Sequence, residues 1–80
     1  MTSNKFPRNI RSVDIVKILL KEGFEQKRTG KGSHRNFSKK GVLNVVTVSS
    51  KKYIPMGTVF NILKQAEIPR DKFLRLLAEL

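Results

Sequence analysis

The chain of 80 residues contains no cysteine, one histidine and only six acidic side chains. Without cysteine it can form neither a disulfide framework nor a zinc site built on thiolates. One histidine and six scattered carboxylates argue against a dedicated metal site, so we expect neither a metal nor another cofactor. The apolar runs are far shorter than the ~18–20 residues that cross a bilayer. With no secretory signal visible either, we expect a cytoplasmic protein that does not enter a membrane.

Positive charge is in large excess and is unevenly distributed. Seventeen Lys and Arg against six Asp and Glu give a net charge of +11. Residues 1–55 hold 13 basic and 3 acidic groups, whereas residues 56–80 are nearly neutral. One-sided charge of this size indicates a polyanionic partner, and nucleic acid is favoured over an anionic membrane. Membrane binding would need a basic helix with a wide apolar face, and the basic segment lacks helical periodicity.

The length and an apolar content of 39% allow one small domain with one modest core. Residues 1–11 are polar and basic and are predicted to form a flexible leader before a single domain over residues 12–80. The domain starts with a helix predicted over residues 12–22, because apolar side chains recur there at helical spacing. We expect Ser12 to cap this helix and Gly23 to end it in a left-handed conformation.

Three strands and two helices are predicted to follow. The strands span residues 24–29, 33–39 and 42–48, with turns at 30–32 and 39–41 and a polar link at 49–53. The third strand is rich in β-branched residues and should be the best buried. Pro55 opens the second helix, and Ile68-Pro69 separates it from the last one, whose apolar side carries Phe73, Leu74, Leu76, Leu77 and Leu80. Phe24, Phe37, Phe60 and Phe73 fit core positions better than base-stacking positions.

The fold class is therefore α+β, in the order α-β-β-β-α with a short extra C-terminal helix. Short glycine turns join the three strands into an antiparallel sheet, and helices cover one of its faces. This is also the arrangement of double-stranded RNA-binding domains, which contact sugars and phosphates by shape.

The single histidine lies in a glycine-containing, basic segment. Residues 27–52 hold eight basic side chains and no acidic one, and His34 stands there in the sequence Gly-Lys-Gly-Ser-His-Arg. An imidazole exchanges a proton near neutral pH, and Lys and Arg bind phosphates, so the segment indicates a phosphodiester substrate. RNA carries its own nucleophile, the 2′-hydroxyl, so its cleavage needs only an acid or base, charge stabilisation and in-line geometry.

Residues near the histidine are the candidate RNA contacts. They are Lys27, Arg28, Lys31, Gly32, Ser33, Arg35, Lys51 and Lys52. Gly32 lets the backbone approach a phosphate closely, and Ser33 offers a donor. A second proton donor could be Tyr53, Lys31, Arg35 or water. Gly57 and Thr58 are expected mainly to shape and cap the second helix.

Several motifs stand in the order found in one family. Gly32-Ser33-His34 follows the first predicted strand, DIVKILLKEGF (14–24) forms a helix with a glycine stop, VVTV (45–48) lies in the third strand, and Met56-Gly57-Thr58 starts the second helix. From Asp14 to Leu77 the chain resembles the HicA-type toxins, small mRNA interferases of bacterial and archaeal toxin–antitoxin pairs. The resemblance implies a metal-independent endoribonuclease with His34 as catalytic acid or base. It also implies a HicB-type antitoxin that covers the active surface.

One position departs from the family's pattern. The family often has a second histidine directly after the first, where this chain has Arg35. A two-histidine mechanism is therefore not expected, and one imidazole must carry the proton transfer.

Two non-enzymatic functions are the alternatives. A double-stranded RNA-binding domain usually starts its last helix with a Lys-Lys-x-Ala-Lys pattern, whereas this chain has Pro-Met-Gly-Thr there and no lysine until Lys64. A basic structural protein of a ribonucleoprotein is the other alternative, and His34 would be dispensable in it.

Overall fold

A computed structural model of the chain describes residues 6–27 and 34–80. The elements are β1 (Asn9–Arg11), α1 (Ser12–Lys21), β2 (Glu25–Lys27), β3 (His34–Ser38), β4 (Val46–Ser49), β5 (Tyr53–Pro55), α2 (Met56–Ala66) and α3 (Arg70–Ala78). The turn predicted at residues 30–32 lies outside the described residues. No helix of the described ranges is long and apolar enough to span a membrane.

The predicted three-stranded antiparallel sheet is confirmed, in the order β2-β3-β4. Its register places Phe37 opposite Val46 and His34 opposite Ser49. Beside it lies a second, two-stranded antiparallel sheet of β1 and β5 that the sequence does not predict. The α+β class with a fold like that of double-stranded RNA-binding domains is therefore correct, with one small sheet added.

The core lies between the β2-β3-β4 sheet and the helices. Phe37, Val46 and Val48 are fully buried on the sheet side, and Phe73 is fully buried on α3. The other buried apolar residues are Ile10, Ile15, Ile18, Leu19, Phe24, Ile54, Val59, Ile62, Leu63, Ala66 and Ile68. α1 and α2 thus cover one face of the sheet and α3 packs against both helices, while no helix of the described ranges covers the other face.

Residues before α1 are tied to this core. Ile10 is buried in β1, opposite Ile54 of β5. The ring centroid of Phe6 lies 4.8 Å from that of Phe60 on α2 and 5.8 Å from that of Phe73 on α3. Residues 6–11 are therefore part of the folded unit, in contrast to the flexible leader that their composition suggests.

The ends of α1 show one wrong and one confirmed prediction. Ser12 does not cap the helix: Arg11 is the N-cap residue, and the backbone N–H of Ser12 donates to the carbonyl of Lys52 at 3.0 Å. This bond continues the pairing of β1 with β5. At the other end Gly23 has φ +93°, and the N–H of Phe24 bonds to the carbonyl of Leu19 at 3.0 Å, as in a Schellman motif.

The third predicted strand is shorter than expected. β4 begins at Val46, because the N–H of Val42 donates to the carbonyl of Lys39 at 3.0 Å and continues the turn after β3. Leu43 is 91% exposed and Val45 is half exposed, so an apolar sequence alone did not indicate burial there. Leu80 lies beyond the end of α3 and is also half exposed, in contrast to its predicted place on the apolar side of the last helix.

Candidate active site

His34 lies on the open face of the sheet. Side chains of a strand alternate between its two faces, and Phe37 of β3 points into the core. His34 and Asn36 therefore share the face turned away from the helices, which we call the outer face. Both are at least partly exposed, and a hydrogen bond of 2.8 Å from Thr47 Oγ1 to Asn36 Oδ1 joins β4 to β3 on that face.

A groove of about 380 Å³ begins at His34. Its lining residues are His34, Ser49, Lys51, Tyr53, Ile54, Pro55 and Thr58. They come from β3, β4, the link after β4, β5 and the first turn of α2, and this groove is called the His34 groove below. The backbone N–H of Lys51 donates to Ser49 Oγ at 3.2 Å, which helps to fix the link that carries the lysine.

The N-terminal end of α2 borders the His34 groove through Pro55 and Thr58. Pro55 is the N-cap residue, and no side chain of the described ranges forms a capping hydrogen bond there. The first turn of α2 contains no acidic residue either. The first backbone N–H groups of a helix lack partners within the helix and lie at the positive end of its dipole. This end of α2 is therefore suited to an anion such as phosphate.

Tyr53 lies on the wall of the His34 groove and is half exposed. The Lys52 ammonium is 5.7 Å from the centroid of its ring. Arg11 of β1 is the direct partner of Tyr53 in the β1–β5 register, so the two side chains lie on the same face of that sheet. Tyr53 thus lines the same groove as His34, with Lys52 beside its ring and Arg11 on the same face of the small sheet.

The structure brings together some of the predicted site residues and separates others. Lys51 shares the groove with His34, and Lys52 lies beside Tyr53. Lys27 lies on the outer face opposite Asn36, away from the groove. Arg35 pairs with Val48 and so lies on the face of β3 opposite to His34, which separates it from the groove. Arg28, Lys31, Gly32 and Ser33 lie outside the described residues.

Four groove residues were not predicted as site residues, namely Ser49, Ile54, Pro55 and Thr58. Ser49 lies opposite His34 in the β3–β4 register, whereas Ile54, Pro55 and Thr58 reach the groove because β5 leads directly into α2. Their local sequence carries no signal for this, since β5 is only three residues long. Across the ranges that the structure describes, no three His, Cys, Asp or Glu side chains are grouped so that they could hold a metal ion.

Comparison with known protein families gives a match, and it includes most of the elements described above. The profile of the family described as "HicA toxin of bacterial toxin-antitoxin" matches residues 12–68, from the start of α1 to just beyond α2. The match contains His34 and every other residue that lines its groove, but neither β1 nor α3. No curated protein matches the chain. Since the match covers well over half of the sequence and the fold agrees with the expectation, the chain belongs to the HicA toxin family of bacterial toxin–antitoxin systems.

Proposed function

We propose that this HicA-family chain is an endoribonuclease, an mRNA interferase, that cleaves RNA without a metal ion and uses His34 as its acid or base. The observation that carries the proposal is the composition of the His34 groove. The chain's one imidazole lies there together with Lys51, Tyr53 and the open N-terminal end of α2. A proton carrier and groups that attract a phosphate are thus found in one place.

The chemistry needs little else, because RNA supplies the nucleophile. His34 takes the proton of a 2′-hydroxyl, and the resulting oxygen attacks the adjacent phosphorus. The bond from phosphorus to the 5′-oxygen of the next nucleotide breaks, and that oxygen receives a proton. The products are a 2′,3′-cyclic phosphate and a 5′-hydroxyl. DNA lacks the 2′-hydroxyl and cannot react in this way.

Charge stabilisation and the second proton transfer are assigned to the rest of the groove. The Lys51 ammonium and the first N–H groups of α2 stabilise negative charge that develops on the phosphate oxygens. Among the candidates for the second proton donor, Tyr53 lies in the groove, Arg35 lies on the opposite face of β3, and Lys31 lies outside the described residues. We therefore assign protonation of the leaving 5′-oxygen to the Tyr53 hydroxyl.

The same groove explains how the toxin would be held inactive. We propose a HicB-type antitoxin that covers the outer face and the His34 groove in the cytoplasm, where mRNA is found. A net charge of +11 favours a partner that presents acidic groups. The non-catalytic alternative, a double-stranded RNA-binding module, has less support, because the first basic residue of α2 is Lys64 in its last turn.

Cleavage of a labelled single-stranded RNA by the wild-type chain and by His34→Ala tests the proposal. We expect His34→Ala to lower kcat/KM by about 10²–10⁴-fold, the usual contribution of a positioned acid or base. Its stability should be unchanged, because His34 is exposed. Gln26→Ala is the matched control, since Gln26 is an exposed residue of the neighbouring strand on the opposite face of the sheet.

Two further arms sharpen the test. Wild-type activity should persist in EDTA, and an RNA with a single 2′-deoxynucleotide at the cleavage site should stay intact. Equal cleavage by wild type and His34→Ala would rule out the role of the histidine. Tight RNA binding by both chains with no cleavage by either would favour the non-catalytic module.

A further inference from the structure

A second concave surface, of about 530 Å³, lies at the other end of β3. Its lining residues are Gly23, Glu25, Lys27, Ser38, Lys39 and Lys40, and we call it the lysine pocket. Three ammonium groups face one carboxylate there, so the pocket carries an excess of positive charge. Lys39 and Lys40 lie beyond the region of the histidine motif and were not among the candidate RNA contacts.

Lys39 is held in place at this pocket. Its Nζ lies 5.7 Å from the ring centroid of Phe24. Its aliphatic stem crosses Gly23, since a Cβ atom added to that glycine would lie 3.5 Å from Lys39 Cε. A lysine whose stem is packed while its ammonium stays accessible loses less conformational freedom when it binds an anion.

The lysine pocket and the His34 groove are each lined in part by residues of the outer face. Glu25 pairs with Ser38 and Lys27 with Asn36, and these residues alternate with the buried Phe37. They therefore share the outer face with His34. The backbone distance from His34 to Ser38 is four residues, or about 13 Å at ~3.3 Å per residue. Glu25 is the acidic residue that the described strands place on this face.

We propose that the lysine pocket binds a second phosphate of the same RNA strand whose cleaved phosphate lies at His34. The strand would then cross the outer face from the N-terminal end of α2 to Lys39 and Lys40. Two phosphate sites at opposite ends of β3, whose backbone spans about 13 Å, suit a chain of linked phosphates rather than free phosphate or a single nucleotide. This inference rests on the proposed function and extends it, because it makes the enzyme dependent on substrate length.

The test compares two double variants of the full chain that remove equal charge. K39A/K40A removes two ammonium groups from the lysine pocket. K17A/K64A removes two exposed lysines from helices α1 and α2. Each pair is made in the His34→Ala background, so that affinity for a single-stranded RNA of about twelve nucleotides can be measured without cleavage. A dinucleoside monophosphate, which has one phosphate, is the short ligand.

We expect K39A/K40A to lose about tenfold in affinity for the long RNA near physiological salt, and K17A/K64A to lose much less. The slope of log affinity against log salt should become shallower by about 0.7 for each lysine that contacts a phosphate. Affinity for the dinucleoside monophosphate should be equal in all chains. Lys40→Ala alone, at an exposed turn residue, should show a smaller loss in the same direction if the double variant folds poorly.

Equal losses by the two double variants on the long RNA would overturn the proposal. Cleavage by the wild-type chain is measured separately and distinguishes the two hypotheses. If the wild-type chain cuts RNA but the two double variants bind it equally well, the proposed activity is correct and the second phosphate site is wrong. If K39A/K40A weakens binding of the long RNA but the wild-type chain cuts no RNA, the binding surface is correct and the proposed activity is wrong.

Discussion

At the scale of single residues, the role of the Tyr53 hydroxyl can be tested separately from the role of its ring. Tyr53→Phe keeps the ring near Lys52 and in register with Arg11, but removes the proton that we assign to the leaving oxygen. We expect kcat to fall by about 10²-fold with little change in KM, since the lost proton is needed only in the transition state. Steady-state cleavage of a labelled RNA measures both constants.

A modified substrate provides the control for Tyr53→Phe. A sulfur in place of the leaving 5′-oxygen departs as a thiolate and needs no proton. The Phe variant should therefore cleave this substrate as fast as the wild-type chain does. An equal loss on both substrates would show that the hydroxyl positions RNA and does not donate the proton.

The sequence was sufficient to identify His34 as a candidate site residue, but not to predict which residues surround it. The histidine was visible because it is the only imidazole and lies in a segment without acidic residues. Thr58 was not visible as a site residue, because it reaches the groove only where β5 leads into α2, and Ser49 was not, because its place beside His34 depends on the β3–β4 register. Arg11 was hidden in the same way, since its place opposite Tyr53 depends on pairing between two strands of three residues each. Such short strands show no periodic pattern.

At the scale of elements, α1 and α2 are each followed by a residue with positive φ, a glycine in one case and a glutamate in the other. Gly23 follows α1 with φ +93°, and Glu67 follows α2 with φ 60°. A side chain in the left-handed region costs about 1–2 kcal/mol, whereas glycine adopts it without this penalty. We expect Glu67→Gly to raise the free energy of unfolding by up to about 1 kcal/mol, or roughly 4–8 °C in Tm.

Gly23→Ala is the matched change of opposite sign. The added Cβ would meet Lys39 at an ordinary contact distance of 3.5 Å, so the cost comes from the backbone conformation. We expect a loss of about 1 kcal/mol or more in the same urea or thermal unfolding experiment. A Glu67→Gly chain less stable than wild type would show that the entropy of the added glycine outweighs the relief of strain.

Elements with a strong local signal were predicted, and those fixed by tertiary pairing were not. The helix predicted over residues 12–22 and its glycine stop follow from apolar spacing and from a conformation that glycine favours. The start of β4 could not be predicted, because residues 42–45 have strand composition but are held by the turn at Lys39. The composition of a segment indicates which residues favour a strand, but it does not indicate which of them pair with a neighbouring strand.

At the scale of the whole molecule, the division of charge follows the division of structure. In the ranges that the structure describes, the basic excess before α2 lies on the strands, the segments beside them and α1, whereas the nearly neutral residues 56–80 contain α2 and α3. Lys72 of α3 is held by an ion pair of 2.8 Å with Glu22 at the end of α1. The two C-terminal helices thus carry little net charge, and most of the side chains proposed to contact RNA belong to the strands and links before them.

The extent of the folded unit is wider than the family match, and this can be tested by truncation. Residues 12–68 lack Ile10 and Phe73, which are 3% and 0% exposed. Loss of a buried Ile or Phe side chain costs about 2–5 kcal/mol each, against a total stability of about 5–15 kcal/mol for a small domain. We expect a chain of residues 12–68 to be unfolded by circular dichroism. Residues 6–80 should match the intact protein, and residues 12–80 should fold with a lower urea midpoint. A cooperative transition of residues 12–68 at the midpoint of the intact protein would contradict the role assigned to β1 and α3.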